Sequence, residues 1–190
     1  IAGLTRGDLL EDAKWLVDKA ITKGDDHETF KRQFKRLIGR KGWQATDNRI
    51  YTILDTNSRR SYAAGRWQQA MTPKIMQRRP YLVWVHRDSV VPRPNHLALN
   101  NKAIRSDHPF WKVAFPMCAF GCRCTAFTAN ERMLNRMGAT ILDNPPDPMT
   151  IAEQGFQRAA GSMPEVEKQE IIDSTLNRLS PEIREKVDRE

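Results

Sequence analysis

The chain has 190 residues, 39% hydrophobic and 28% charged, the composition of a soluble folded protein with room for one sizeable core or a core with an appendage. No apolar run approaches the roughly 20 residues of a membrane helix, and no signal-peptide core is visible. The net charge of +8 and a pI near 9.7 suit either an ordinary basic surface or a polyanion partner, nucleic acid before membrane.

The basic residues gather in two places. Lys31-Arg32-Gln33-Phe34-Lys35-Arg36 with Arg40-Lys41 form one group, and Arg59-Arg60 with Arg66 the other. There is no helix-turn-helix pattern, finger spacing or basic zipper, so any DNA contact is expected at phosphates rather than base edges. Arg36, Arg40 and Lys41 are the candidate contacts. The chain opens on Ile1 rather than Met, as expected of a portion of a longer protein.

Taken in order, Thr5 followed by Asp8 resembles a capping box, and Leu9, Leu10, Ala13, Leu16, Val17, Ala20 and Ile21 recur at helical spacing. Gly24 is a natural stop. A second helix is expected from near Asp26 to Gly39, with Phe30, Phe34, Leu37 and Ile38 inward and a basic face outward. Trp43 falls in a loop. A long third helix then runs from about Asn48 to about Met71. Asn57, Ser61 and Gly65 lie four apart and share one stripe, which would let another backbone come close. A buried Asn57 would then need an internal partner; a ligand site is the alternative reading.

Pro73 breaks or restarts the helix. Tyr81–His86 is rich in aromatic and β-branched residues, the pattern of a strand buried on both faces. Pro92 and Pro94 fix a turn around Arg93 and His96. Further strands are expected near 122–128 and 139–142, with a short helix between them from the cap Asn130 to Gly138. Asn144 to Pro148 is a break. Helices are expected again over Val166–Leu179 and from Ser180-Pro181-Glu182. The fold class is therefore α+β: long N-terminal helices packed on a small β-sheet carrying the C-x-C segment, with a helical C-terminal tail. Trp84, Trp111, Tyr62 and Phe127 are expected to organise the core.

All 3 cysteines and three of the 4 histidines fall between residues 81 and 127. An odd cysteine count with C-x-C spacing argues against a disulfide framework. Cys122 and Cys124 at period two, with His96 as a third donor and Cys118, His86 or His108 as a fourth, would suit tetrahedral zinc. A small apolar core of free cysteines is the other reading, and no cofactor is the expectation it carries. Arg93 and His96 beside Asp88 and Tyr81 could form a small-nuclease or ADP-ribosyl-transfer-like set. No acidic cluster for Mg²⁺, Gly-rich phosphate loop or Ser-His-Asp order accompanies them, so no catalytic residue is assigned. Hydrogen bonds that tie turns together are the alternative for Arg93 and His96.

Two blocks of residues carry a resemblance. Thr56-Asn57, Tyr62 and Gly65-Arg66 make up the first. Arg93-Pro94-Asn95-His96, Phe110-Trp111, Phe115-Pro116 and Cys122-Arg123-Cys124 make up the second, and Gly155-Phe156 to Gly161 follows downstream. In this order they resemble the phage Mu F-like head morphogenesis family, the minor capsid proteins of tailed phages. Phe115-Pro116 stands where Pro-Pro is usual, and Asn100-Asn101 where Gly is frequent. The resemblance spans about residues 45–161, which sets the expected domain between an N-terminal helical region (1–44) and the tail (162–190). Asn57, Gly65, Arg66, Arg93, His96 and Trp111 are its motif residues. It implies a structural, non-enzymatic head component that acts in capsid assembly and DNA packaging or delivery. The implied partners are portal protein, other head proteins and packaged DNA, without membrane or small-molecule substrate. The implied place is the capsid interior near the portal vertex, after assembly in the host cytoplasm. A small nuclease or toxin domain is the alternative.

Overall fold

Helical spacing of apolar residues shapes the first elements of the computed structural model, which describes residues 7–40, 42, 44–87, 91–164, 166, 167 and 170, with side chains from residue 11 onward. Helix α1 (Gly7–Lys23) ends at Gly24, whose φ of +70° only glycine adopts freely. Helix α2 (His27–Arg40) starts at Asp26, whose side chain accepts the Thr29 N–H at 2.7 Å. Helix α3 (Asp47–Ala70) follows, and Pro73 opens the short helix α4 (Pro73–Arg78). Ala13, Leu16, Val17 and Ala20 of α1, Phe30, Phe34 and Ile38 of α2, and Ile50, Ile53 and Leu54 of α3 close one core. The expected Thr5 cap, Lys41, Trp43, Asp88 and the helical segments beyond residue 170 lie outside the described residues.

Contacts divide the chain into two compact units at Ser58/Arg59, and the second unit runs to Met163. That unit is built on a four-stranded sheet in the order β3-β1-β2-β4. Its strands are β1 (Tyr81–Val85), β2 (Lys102–Arg105), β3 (Thr125–Ala129) and β4 (Thr140–Ile141). β1 pairs antiparallel with β2, Leu82 opposite Ile104, and with β3, Val83 opposite Phe127. β2 and β4 are parallel. Because side chains alternate along a strand, β1 feeds two cores. Leu82 and Trp84 enter the larger one with Ile104, Phe110, Trp111 and Phe115, joined by Ala63, Trp67 and Ala70 of α3. Val83 enters the smaller one with Ala103, Ala129 and Leu134. The architecture is α+β.

Helix α7 (Glu131–Met137) covers the Val83 face, and both its ends were legible locally. Asn130 accepts the Met133 N–H at 3.0 Å, and Gly138 takes the left-handed conformation at φ 63°. Asn130→Ala should therefore cost about 1 kcal/mol, read as a fall in urea midpoint at unchanged slope. A midpoint equal to that of the parent would mean the cap contributes nothing.

Three expectations need correction. Tyr62 is not in the core: it is 65% exposed and lies against Arg66, whose guanidinium sits 5.7 Å from its ring. Phe127 is only half-buried, on the Val83 face, because β3 flanks β1 at a sheet edge. Nor does the Asn57–Gly65 stripe receive a backbone. Gly65 is exposed, and a Cβ there would meet nothing within 4 Å. The close approach is one residue earlier, where Gly161 lies against Ala64. Asn57 has its partner within its own helix, donating to the Ile53 carbonyl at 2.7 Å. Strand β2 was missed, since four residues beginning at a lysine carry almost no alternation.

Candidate functional site

The site lies where three short helices and one turn meet on the larger core. Pro94 opens helix α5 (Pro94–Ala98), which carries His96 inward. Helix α6 (Phe110–Val113) places Phe110 and Trp111 in the core beneath. Helix α8 (Pro148–Ile151) is capped by Asp147, which accepts the Met149 N–H at 2.9 Å. α5 is bound to α8 by Asn95, which donates to the Thr150 carbonyl at 2.7 Å, and by His96 Nε2, 2.9 Å from the Ile151 carbonyl.

Arg93 and Glu153 brace the turn that brings the cysteines in. Arg93 Nε donates to Glu153 Oε1 at 2.8 Å, and Arg93 Nη2 to the Phe120 carbonyl at 2.9 Å. Glu153 Oε2 accepts the Phe120 N–H at 3.2 Å, and the Glu153 N–H donates to the Cys118 carbonyl at 3.0 Å. Glu153 escaped the sequence reading; a lone acid between Ala152 and Gln154 carries no local signal. Gly121, at φ 64°, turns the chain back toward β3. The strand expected from residue 122 is thus corrected: Cys122 and Cys124 stand just before β3 begins at Thr125, so the turn at Gly121 and not strand alternation brings them together.

His96 and the sulfurs converge. Cys122 Sγ lies 3.6 Å and Cys124 Sγ 3.8 Å from His96 Nδ1, and Cys118 Sγ lies 3.9 Å from His96 Nε2. The donor atoms of His96, Cys118 and Cys122 all fall within 4.8 Å of one another. His86 Nδ1 is 3.3 Å from Cys124 Sγ. His96 is 1% exposed, Cys118 0%, Cys122 3% and Cys124 8%. Since a carbonyl can only accept, the contact with Ile151 assigns the His96 proton to Nε2 and leaves the Nδ1 lone pair facing the sulfurs.

The sulfurs are electrostatically unequal. Cys122 is pushed far below the ordinary thiol value, first by the Cys118 thiol donating to it and then by Cys124. Cys118 and Cys124 are pushed up, each first by its hydrogen bond with Cys122 and then by burial. Burial also works against charging His96, but its contacts with Cys122 and Ile151 outweigh this and raise its pKa.

The other singled-out residues are placed elsewhere. His108 Nδ1 accepts the Phe110 N–H at 3.1 Å. Trp111 is fully buried and donates from its indole to the Arg105 carbonyl at 3.1 Å. Arg66 donates to the Ala126 carbonyl and, at 3.2 Å, to Tyr62 Oη. Arg60 lies 5.0 Å over the Phe156 ring. The second basic group is therefore partly spent inside the fold. In the first, Lys31 and Lys35 pair with Asp47, while Arg36 and Arg40 are exposed on α2.

This arrangement is a braced, buried knot. Arg93 and His96, the residues of the catalytic alternative, are both held by backbone and carboxylate partners within it. A family model described as Phage Mu protein F like protein matches residues 11–127, a stretch that includes α3, α5 and all three cysteines. The chain belongs to the phage Mu protein F like family. It is 28% identical over 154 residues to the Mu-like prophage FluMu F protein of Haemophilus influenzae, covering 74% of this chain and 37% of that protein. It is 25% identical over 158 residues to the putative capsid assembly protein F of Escherichia phage Mu, covering 74% and 36%. The chain thus spans little more than a third of the length of these relatives, 37% and 36%. No solved structure gives a significant match.

Proposed function

We propose that this chain is a structural component in the assembly of a tailed-phage head, working beside the portal on the capsid interior after assembly in the host cytoplasm. The match to the Mu protein F like family, with a relative described as a putative capsid assembly protein, carries this reading. Its partners are then portal protein, other head proteins and packaged DNA. A structural role also suits the Cys–His knot, whose histidine is only 1% exposed and offers a substrate no approach. Arg36 and Arg40, together on the exposed side of α2, supply a sequence-independent phosphate contact, and the +8 charge favours one.

Two measurements test the proposal. Purified chain should co-sediment with portal oligomers, and failure to do so removes the portal half. DNA affinity should be weak and fall linearly on a log–log salt plot, and Arg36→Glu and Arg40→Glu should each make the slope shallower by about 1. Affinity unchanged between low and moderate salt removes the DNA half. Plasmid and RNA incubated with the chain should remain intact; cleavage would establish an enzyme instead.

A further inference from the structure

We propose that Cys118, Cys122, Cys124 and His96 Nδ1 bind one zinc ion in a closed, structural tetrahedral site. Zn–S bonds of about 2.3 Å and Zn–N bonds of about 2.0–2.1 Å meeting at tetrahedral angles place sulfur and nitrogen about 3.5–3.6 Å apart. His96 Nδ1 already stands 3.6 Å from Cys122 Sγ and 3.8 Å from Cys124 Sγ. Cys118 completes the set: its donor atom lies within 4.8 Å of those of His96 and Cys122, and its Sγ, now 3.9 Å from His96 Nε2, has only to turn toward the Nδ1 side. No new backbone path is needed, because the turn at Gly121 has already folded the three cysteines back on the histidine.

The surroundings match a metal-held set better than three apolar thiols. A core histidine hydrogen-bonded at one nitrogen commonly leaves the other to a polar partner or to nothing; here the other faces sulfur. Its Nε2–H on the Ile151 carbonyl is the outer contact that orients metal-ligating histidines. The Trp84 indole N–H is fully buried with no hydrogen-bond partner. Arg60 Nη1 is likewise buried and unpartnered. Three thiolates and a neutral imidazole around Zn²⁺ leave one net negative charge, which suits the unpartnered Arg60 Nη1, since Arg93 is already paired with Glu153. Zinc binds the thiolate form of cysteine, so loading releases thiol protons and affinity rises with pH. The site is buried on all four ligands, so its role is to pin α5 and the cysteine turn to the sheet, not to activate water. His86, 3.3 Å from Cys124 Sγ, is only half-buried, whereas Cys118 is fully buried, so His86 stays outside the closed set of four. The site is independent of the head reading.

The test uses the full chain, purified reduced and without chelator. It should carry one equivalent of zinc, and cobalt exchanged into it should show tetrahedral ligand-field bands and the charge-transfer intensity of three thiolates. Less than a tenth of an equivalent, with no cobalt taken up by the reduced chain, overturns the site. A chelator should lower the melting temperature of the loaded protein, and an unchanged melting temperature counts against a structural role. Cys118→Ser and Cys124→Ser should each lose the metal, while His86→Ala and the exposed Arg123→Ala keep it. Loss in His86→Ala with retention in Cys118→Ser overturns the ligand set. If the serine variants do not fold, the cobalt spectrum of the parent still decides, since two thiolates in place of three refute the proposal.

Discussion

Trp111→Ala should lower stability by about 3–5 kcal/mol. Trp111 is fully buried, stacked on Trp84 at 6.4 Å and set edge-on to Phe110 at 5.1 Å and Phe115 at 6.1 Å. Truncation removes this contact area and leaves a cavity that three rigid rings cannot collapse into. It also removes the indole donor to the Arg105 carbonyl, held at 3.1 Å, leaving that oxygen with the His108 N–H. The check is urea unfolding followed by circular dichroism. The midpoint should fall steeply, and a midpoint equal to the parent's would remove Trp111 from the core. Tyr62→Ala is the built-in comparison. With a residue 65% exposed, it should change stability by no more than about 0.5 kcal/mol.

Gly161→Ala should cost about 2–5 kcal/mol, from two separable sources. The first is conformational: φ is +81°, where an L side chain costs roughly 1–2 kcal/mol. The second is steric. A Cβ at Gly161 would stand 2.8 Å from the Ala64 carbonyl oxygen, 3.0 Å from its Cα and 3.1 Å from its Cβ. These atoms belong to a long helix and cannot swing away, so overpacking adds about 1–3 kcal/mol. Gly155 isolates the first source, because its φ is +85° but nothing lies within 4 Å of an added Cβ. Gly155→Ala should therefore lose only about 1–2 kcal/mol. Equal losses in the two variants, measured by the same denaturant titration, would show that the helix and the 161 turn do not touch in solution.

The pairing of these two glycines also shows how motif residues can mislead. Gly65 stands in the family-like block and invites the idea of a close backbone approach. It is exposed and open, whereas Gly161, far along the chain, makes the approach to Ala64. Spacing four apart correctly placed Asn57, Ser61 and Gly65 on one stripe. It could not say whether that stripe faces protein or solvent, because a helix of small and polar residues has no strong apolar side to decide its rotation. Tyr62 was misplaced for the same reason: an aromatic ring on such a helix can cover an arginine stem as readily as it can enter a core.

What the sequence by itself determined was local. Gly24 and Gly138 end helices because their own φ is positive, and Asn130 starts one because its side chain reaches an N–H three residues on. Tyr81–Val85 is buried on both faces because an unbroken apolar run leaves no polar side to turn outward. The cysteine-rich stretch announced sulfur and imidazole chemistry by composition alone. Only the tertiary structure decided which of those groups meet. His96 is oriented by a carbonyl 55 residues away, and Arg93 is held by a carboxylate 60 residues away. Cys118 joins His96 rather than remaining an isolated thiol because Glu153, downstream in the chain, fixes the backbone of its turn. Such contacts depend on which chain segments the packed core brings together. Their partners leave no periodic trace in the sequence, so they become visible only once β1 has gathered both cores around itself.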